Sequence, residues 1–167
     1  MIFSVPKIVC FEINLERINE RRNHMSIANI LIVDDEKPFV DAISKRLEKR
    51  NLTISSAFSG HEALECLQNR KDIEVVILDV KMPYMSGIQV LTEIKSNYPL
   101  VEVIMLTGHA TVESAIDGMK MGAFDYLMKP CEIDVLVSKV KEAANKKRLH
   151  EEKIVAARLK EISGRIP

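Results

Sequence analysis

Three uninterrupted aliphatic runs, each ending on a polar residue, constrain this chain more than any other feature. Ile30-Leu31-Ile32-Val33 runs into Asp34-Asp35, Val75-Val76-Ile77-Leu78 into Asp79, and Val103-Ile104-Met105-Leu106 into Thr107. Such a run is shorter than a core helix needs. Its unbroken apolarity suits a strand covered on both faces, as in a parallel sheet.

The segments between these runs have the helical period. Pro38 stands at a first-turn position, followed by Phe39 or Val40, Ile43 and Leu47. Leu52 to Ala57 reads as a second, more exposed strand. Ser59-Gly60-His61-Glu62 and Ser86-Gly87-Ile88-Gln89 have capping-box spacing and open helices that bury Ala63, Leu64 and Leu67, then Ile88, Leu91 and Ile94. A short helix follows from Thr111 to Met121, with Gly122 as its stop. Phe124 to Met128 is a fifth strand that ends at Lys129-Pro130, and the last helix starts near Glu132. Five strands alternating with five helices predict an α/β fold, a parallel sheet with helices on both faces. Right-handed crossovers leave few ways to wind it. In such open sheets the site lies beyond the carboxyl ends of the strands, where the polar residues collect.

Composition narrows the class. A chain of 167 residues suits one domain with extensions, and 47% hydrophobic with 29% charged residues is ordinary for a globular protein. Lysine and arginine (24) balance aspartate and glutamate (24), so no global field draws the chain to nucleic acid or membrane. Cys10, Cys66 and Cys131 are dispersed, which argues against a disulfide framework and suits the cytoplasm. No apolar run approaches the roughly 20 residues of a membrane span. The apolar opening from Met1 to Phe11 lacks the marks of a signal peptide.

The chemistry lies in the strand ends. Asp34, Asp35 and Asp79 crowded at one edge repel each other unless a cation holds them. Oxygen-only ligands favour a hard ion, Mg²⁺ above all. A carboxylate beside such an ion can attack phosphorus and become an acyl phosphate. Lys129 supplies a compact positive charge toward phosphoryl oxygens, and Thr107 a hydroxyl donor.

Four fragments in order carry a resemblance: Ile30 to Glu36, Leu78 to Gly87, Leu106-Thr107-Gly108 and Gly122 to Pro130. From about residue 28 to 148 the chain resembles the receiver domain of two-component response regulators. The resemblance implies a flavodoxin-like, doubly wound (βα)5 fold. It implies Asp79 as phosphoacceptor and Asp35 as a direct Mg²⁺ ligand. Asp34 acts largely through water, and the backbone carbonyl of Lys81 is a further ligand. Thr107 and Tyr126 match the switch pair, and Lys129 the phosphate-binding lysine, joined to Pro130 by a cis peptide bond. The side chains of Lys81 and His109 occupy places that tune phosphoryl lifetime.

The partners implied are a sensor histidine kinase or phosphotransfer protein upstream and a protein target downstream. Phosphorylation-dependent homodimerisation is a further expectation, and direct nucleic-acid or membrane contact is not expected. The region between strands four and five is similar to receivers attached to ATPase-type transcription activators. About 20 residues at the end cannot hold a helix-turn-helix domain, so the chain reads as a stand-alone receiver.

Three segments are expected: residues 1–26 as an N-terminal extension, disordered or upstream of a true start at Met25; 27–148 as the receiver; and 149–167 as a basic helical tail. Val155, Leu159 and Ile162 make a stripe on that tail too brief for a convincing coiled coil. Two rival functions keep the fold. A pseudo-receiver would bind partners without accepting phosphate, which the intact Asp35, Asp79 and Lys129 oppose. A haloacid-dehalogenase-like phosphatase would need a second acid two residues after the nucleophile, where Lys81 stands.

Overall fold

The computed structural model describes residues 26–108 and 111–163. Most of the expected N-terminal extension, with Cys10 and Met25, lies outside the described residues, as do His109 and residues 164–167. Strands and helices alternate: β1 (Asn29–Val33), α1 (Lys37–Glu48), β2 (Thr53–Ala57), α2 (Gly60–Asn69), β3 (Val75–Leu78), α3 (Gly87–Asn97), β4 (Glu102–Thr107), α4 (Val112–Lys120), β5 (Asp125–Met128) and α5 (Ile133–Ser163). All strand pairs are parallel, in the order β2-β1-β3-β4-β5. This is the flavodoxin-like winding expected.

The aliphatic runs are apolar throughout because alternate residues face different layers. Ile30, Ile32, Val75, Ile77, Ile104 and Leu106 pack with Val40, Ile43 and Leu47 of α1 and Leu136 and Val140 of α5. Leu31, Val33, Val76, Leu78, Val103 and Met105 pack with Ala63 and Leu67 of α2 and Val90, Leu91 and Ile94 of α3. Edge strand β2 is only partly covered: Thr53 and Ser56 are exposed, Ile54 and Ser55 half-buried and Ala57 buried.

Capping follows the sequence with one difference. Ser86 and Gln89 close a reciprocal capping box at α3. At α2, Ser59 accepts from the Glu62 backbone N–H, while the Glu62 carboxylate reaches past Ser59 to the Phe58 N–H at 2.8 Å. Helix α4 has a third box, from Thr111 and Ser114.

Helix α5 runs unbroken for 31 residues, past residue 148. Its inner face is buried through Lys147; beyond it, Leu149, Val155, Leu159 and Ile162 are exposed. Where it leaves the sheet, Arg148 donates to both Glu74 carboxylate oxygens (2.6 and 2.9 Å) and to the Ile27 carbonyl (2.9 Å). Lys146 pairs with the buried Glu102 at 2.9 Å, and Lys95 approaches the same carboxylate at 3.4 Å. No helix among the described residues is long and apolar enough to cross a membrane.

Candidate functional site

Strand order brings the polar strand ends together. The chain leaves β1 toward β2 on one side and returns to β3 on the other, which opens a crevice at the carboxyl edge. There the Asp79 N–H donates to the Val33 carbonyl at 2.9 Å, setting Asp79 beside Asp34. The Lys129 N–H donates to the Thr107 carbonyl at 2.8 Å, setting Lys129 beside β4.

Asp34, Asp35 and Asp79 each offer a carboxylate oxygen within 4.8 Å of the others. Asp34 and Asp79 are buried and Asp35 is exposed. Asp34 is held by the Glu36 N–H, which donates to Oδ1 at 2.9 Å. The Lys129 ammonium ion-pairs with Asp34 and lies 3.9 Å from both Asp79 and Glu36. It also sits 3.9 Å from the centre of the Phe39 ring, a cation–π contact.

Burial is the largest influence on Asp79 and pushes its carboxyl above the ordinary range. The Lys129 charge opposes that, Asp34 reinforces it, and hydrogen bonds from the Thr107 side chain and the Val80 backbone oppose it. Three carboxylates therefore meet one lysine in a partly dry crevice. Such a set suits a hard divalent cation, whose charge would relieve the repulsion.

The loop after β3 is fixed by close packing. A Cβ on Gly87 would lie 2.0 Å from the Asp79 carbonyl oxygen, so only glycine lets α3 start this close to the strand end. The Gly87 N–H donates to the Val80 carbonyl at 2.8 Å. Lys81 is exposed on this loop, and Lys129-Pro130 is a cis peptide.

Tyr126 stands apart from the acids. Its hydroxyl meets Ser114 Oγ at 2.9 Å, and its ring lies over Gly118 of α4. The edge thus gathers Asp34, Asp35, Asp79, Thr107 and Lys129, with Tyr126 on the flank toward α4. Sequence reasoning missed Ser114 as the Tyr126 partner and Phe39 as the platform under Lys129. The Thr111-x-x-Ser114 spacing could have located the first; Phe39 was legible only as a helix-face apolar residue.

The winding and this acidic edge together define the receiver class of signalling domain. The chain matches the response regulator receiver domain over residues 30–141, and it belongs to that family. A putative NtrX-like response regulator of Rickettsia bellii is 38% identical over 132 residues, covering 78% of this chain and 27% of the relative. The DNA-binding transcriptional regulator NtrC of Escherichia coli K12 is 35% identical over 114 residues, covering 68% of this chain and 24% of NtrC. The chain thus spans about a quarter of the length of these curated relatives. Among solved structures, a receiver domain protein from Clostridium thermocellum superposes with a TM-score of 0.70 at 41% identity, covering 73% of this chain and 98% of that one. NtrX from Brucella abortus gives a TM-score of 0.71 at 30% identity, covering 79% of this chain and 30% of NtrX.

Proposed function

We propose that this receiver accepts a phosphoryl group on Asp79 from a phosphohistidine of a sensor kinase or phosphotransfer protein, and signals onward by protein contacts in the cytoplasm. The observation that carries this reading is the placing of Lys129 and Thr107 around a buried carboxylate that shares its crevice with Asp34 and Asp35.

In the transfer, an Asp79 carboxylate oxygen forms the O–P bond as the N–P bond of the phosphoimidazole breaks. The imidazole leaves with the electron pair and takes up a proton. Asp34, Asp35, Asp79 and the Lys81 carbonyl would hold Mg²⁺, which would neutralise charge on the phosphoryl oxygens. Lys129 draws the same oxygens, and the Thr107 hydroxyl donates to one of them. The new charge at Asp79 then biases two conformations of the Thr107–Tyr126 pair, a population shift rather than a mechanical push. Homodimerisation of the phosphorylated form is part of the proposal.

Intact-mass analysis with acetyl phosphate and Mg²⁺ tests the reading. One added phosphoryl group is expected, absent in Asp79→Asn and blocked by chelator. If neither acetyl phosphate labelling nor beryllofluoride binding is seen, the pseudo-receiver replaces it.

A further inference from the structure

Tyr84 combines full exposure with an unusual backbone, at the centre of a tight turn closed by the Met85 N–H on the Pro83 carbonyl. Its φ is +65°, in the left-handed region that disfavours a bulky residue and that glycine or asparagine occupies readily. Its side chain is fully exposed, with a relative accessibility of 102%, so it adds nothing to the core. The other two tyrosines, Tyr98 and Tyr126, are both partly buried against the α2–α3 layer. Strain held at a residue that packs on nothing in its own chain points to a function outside the chain.

The surrounding loop fixes the backbone that carries the ring. Met85 is partly buried, and its N–H donates to the Pro83 carbonyl at 2.7 Å. Ser86 is fixed by the α3 capping box, and Gly87 is pressed against Asp79. Tyr84 is thus presented by a pinned loop, and only the rotation of its own side chain remains to be ordered when something covers it. An exposed aromatic with a polar tip is the residue type that anchors protein interfaces.

We infer that Tyr84 is a docking anchor for the protein that donates the phosphoryl group. This rests on the reading of Asp79 as the acceptor. Tyr84 follows Asp79 by five residues in the same loop, so it lies within about 18 Å of it even in extended chain. The far end of the loop returns to Asp79 at Gly87, so a protein that brings a phosphorylated side chain into bonding distance of Asp79 approaches the loop that carries Tyr84. Acetyl phosphate needs no such contact.

The test compares two donors on wild type, Tyr84→Gly and Tyr84→Phe. Glycine removes the ring while accepting the left-handed backbone, so loop geometry is kept. The protein donor is the ATP-loaded sensor-kinase core, from the same genome, that labels the wild type fastest. We expect Tyr84→Gly to slow labelling by that kinase about tenfold through a raised KM, with Tyr84→Phe close to wild type and acetyl phosphate labelling unchanged in both. Kinase labelling of Tyr84→Gly within twofold of wild type overturns the inference. Equal loss with both donors also overturns it, because the ring then serves the chemistry or the loop. Acetyl phosphate labelling of a wild type that no kinase core labels overturns it too. A wild type labelled by neither donor removes the reading of Asp79 itself.

Discussion

The Tyr126 hydroxyl is held 2.9 Å from Ser114 Oγ, and the same Ser114 oxygen closes the cap of α4 by accepting from the Thr111 N–H at 3.1 Å. One hydroxyl thus ties the ring on β5 to the first turn of the neighbouring helix. Ser114→Ala removes both ties. A hydrogen bond of this kind is worth about 0.5–1.5 kcal/mol, so ring positions away from α4 become roughly threefold or more favoured. If the ring must leave Ser114 in the activated form, beryllofluoride should bind Ser114→Ala about threefold tighter, while melting temperature falls. Calorimetric titration gives the answer; unchanged affinity would show that the bond does not bias the switch.

Asp79 carries a second prediction, this one in pH. Its carboxyl is shifted upward, chiefly by burial, so the folded protein binds this proton more tightly than the unfolded chain does. The cost of the charge is fully present above the folded pKa and is relieved as pH falls through it. Without metal at neutral pH, Asp79→Asn should therefore melt higher than wild type, and the gap should shrink on acidification. Mg²⁺ should stabilise the wild type more than the variant. Thermal melts across pH 4 to pH 8 check the sign; a variant that melts lower at neutral pH would refute it.

Gly87 tests the backbone that supports the site. An alanine Cβ there meets the Asp79 carbonyl oxygen at 2.0 Å and Val80 Cα at 2.8 Å, and neither is the end of a flexible side chain. Gly87→Ala should cost about 3 kcal/mol, at the upper end for overpacking, and displace Asp79. Urea denaturation measures the first, and acetyl phosphate labelling reports the second.

The opposite edge of the sheet gives the fourth prediction. Glu74 accepts two bonds from Arg148 and one, at 3.0 Å, from the Asn29 N–H. Glu74→Ala strands these donors and should cost about 1–3 kcal/mol. Arg148→Ala should cost less, because Arg148 is itself 40% exposed. Denaturant midpoints for the two variants establish the order.

Legibility in the sequence followed the physics of each element. The β1, β3 and β4 runs were plain because burial on both faces leaves no polar alternation to confuse them. Strand β5 was found through its ends, since Asp125 to Met128 is only partly covered. Residues at the site were legible because each stands next to a strand end, where sequence position and spatial position nearly coincide. What the sequence hid were contacts across elements: Ser114 with Tyr126, Phe39 under Lys129, and Arg148 with Glu74. The capping spacing from Thr111 marks Ser114 alone; the other two contacts have no local pattern. The left-handed backbone of Tyr84 was equally hidden, because tyrosine does not advertise it.

The unbroken α5 gives the domain a lever. From Arg148 to Ser163 it extends about 24 Å beyond its anchorage at Glu74. A tilt of about 6° at that fulcrum swings the far end by about 2.5 Å, roughly the radius of the helical backbone itself. A small adjustment at the base of the sheet would therefore be magnified along this arm to the scale on which side chains interlock.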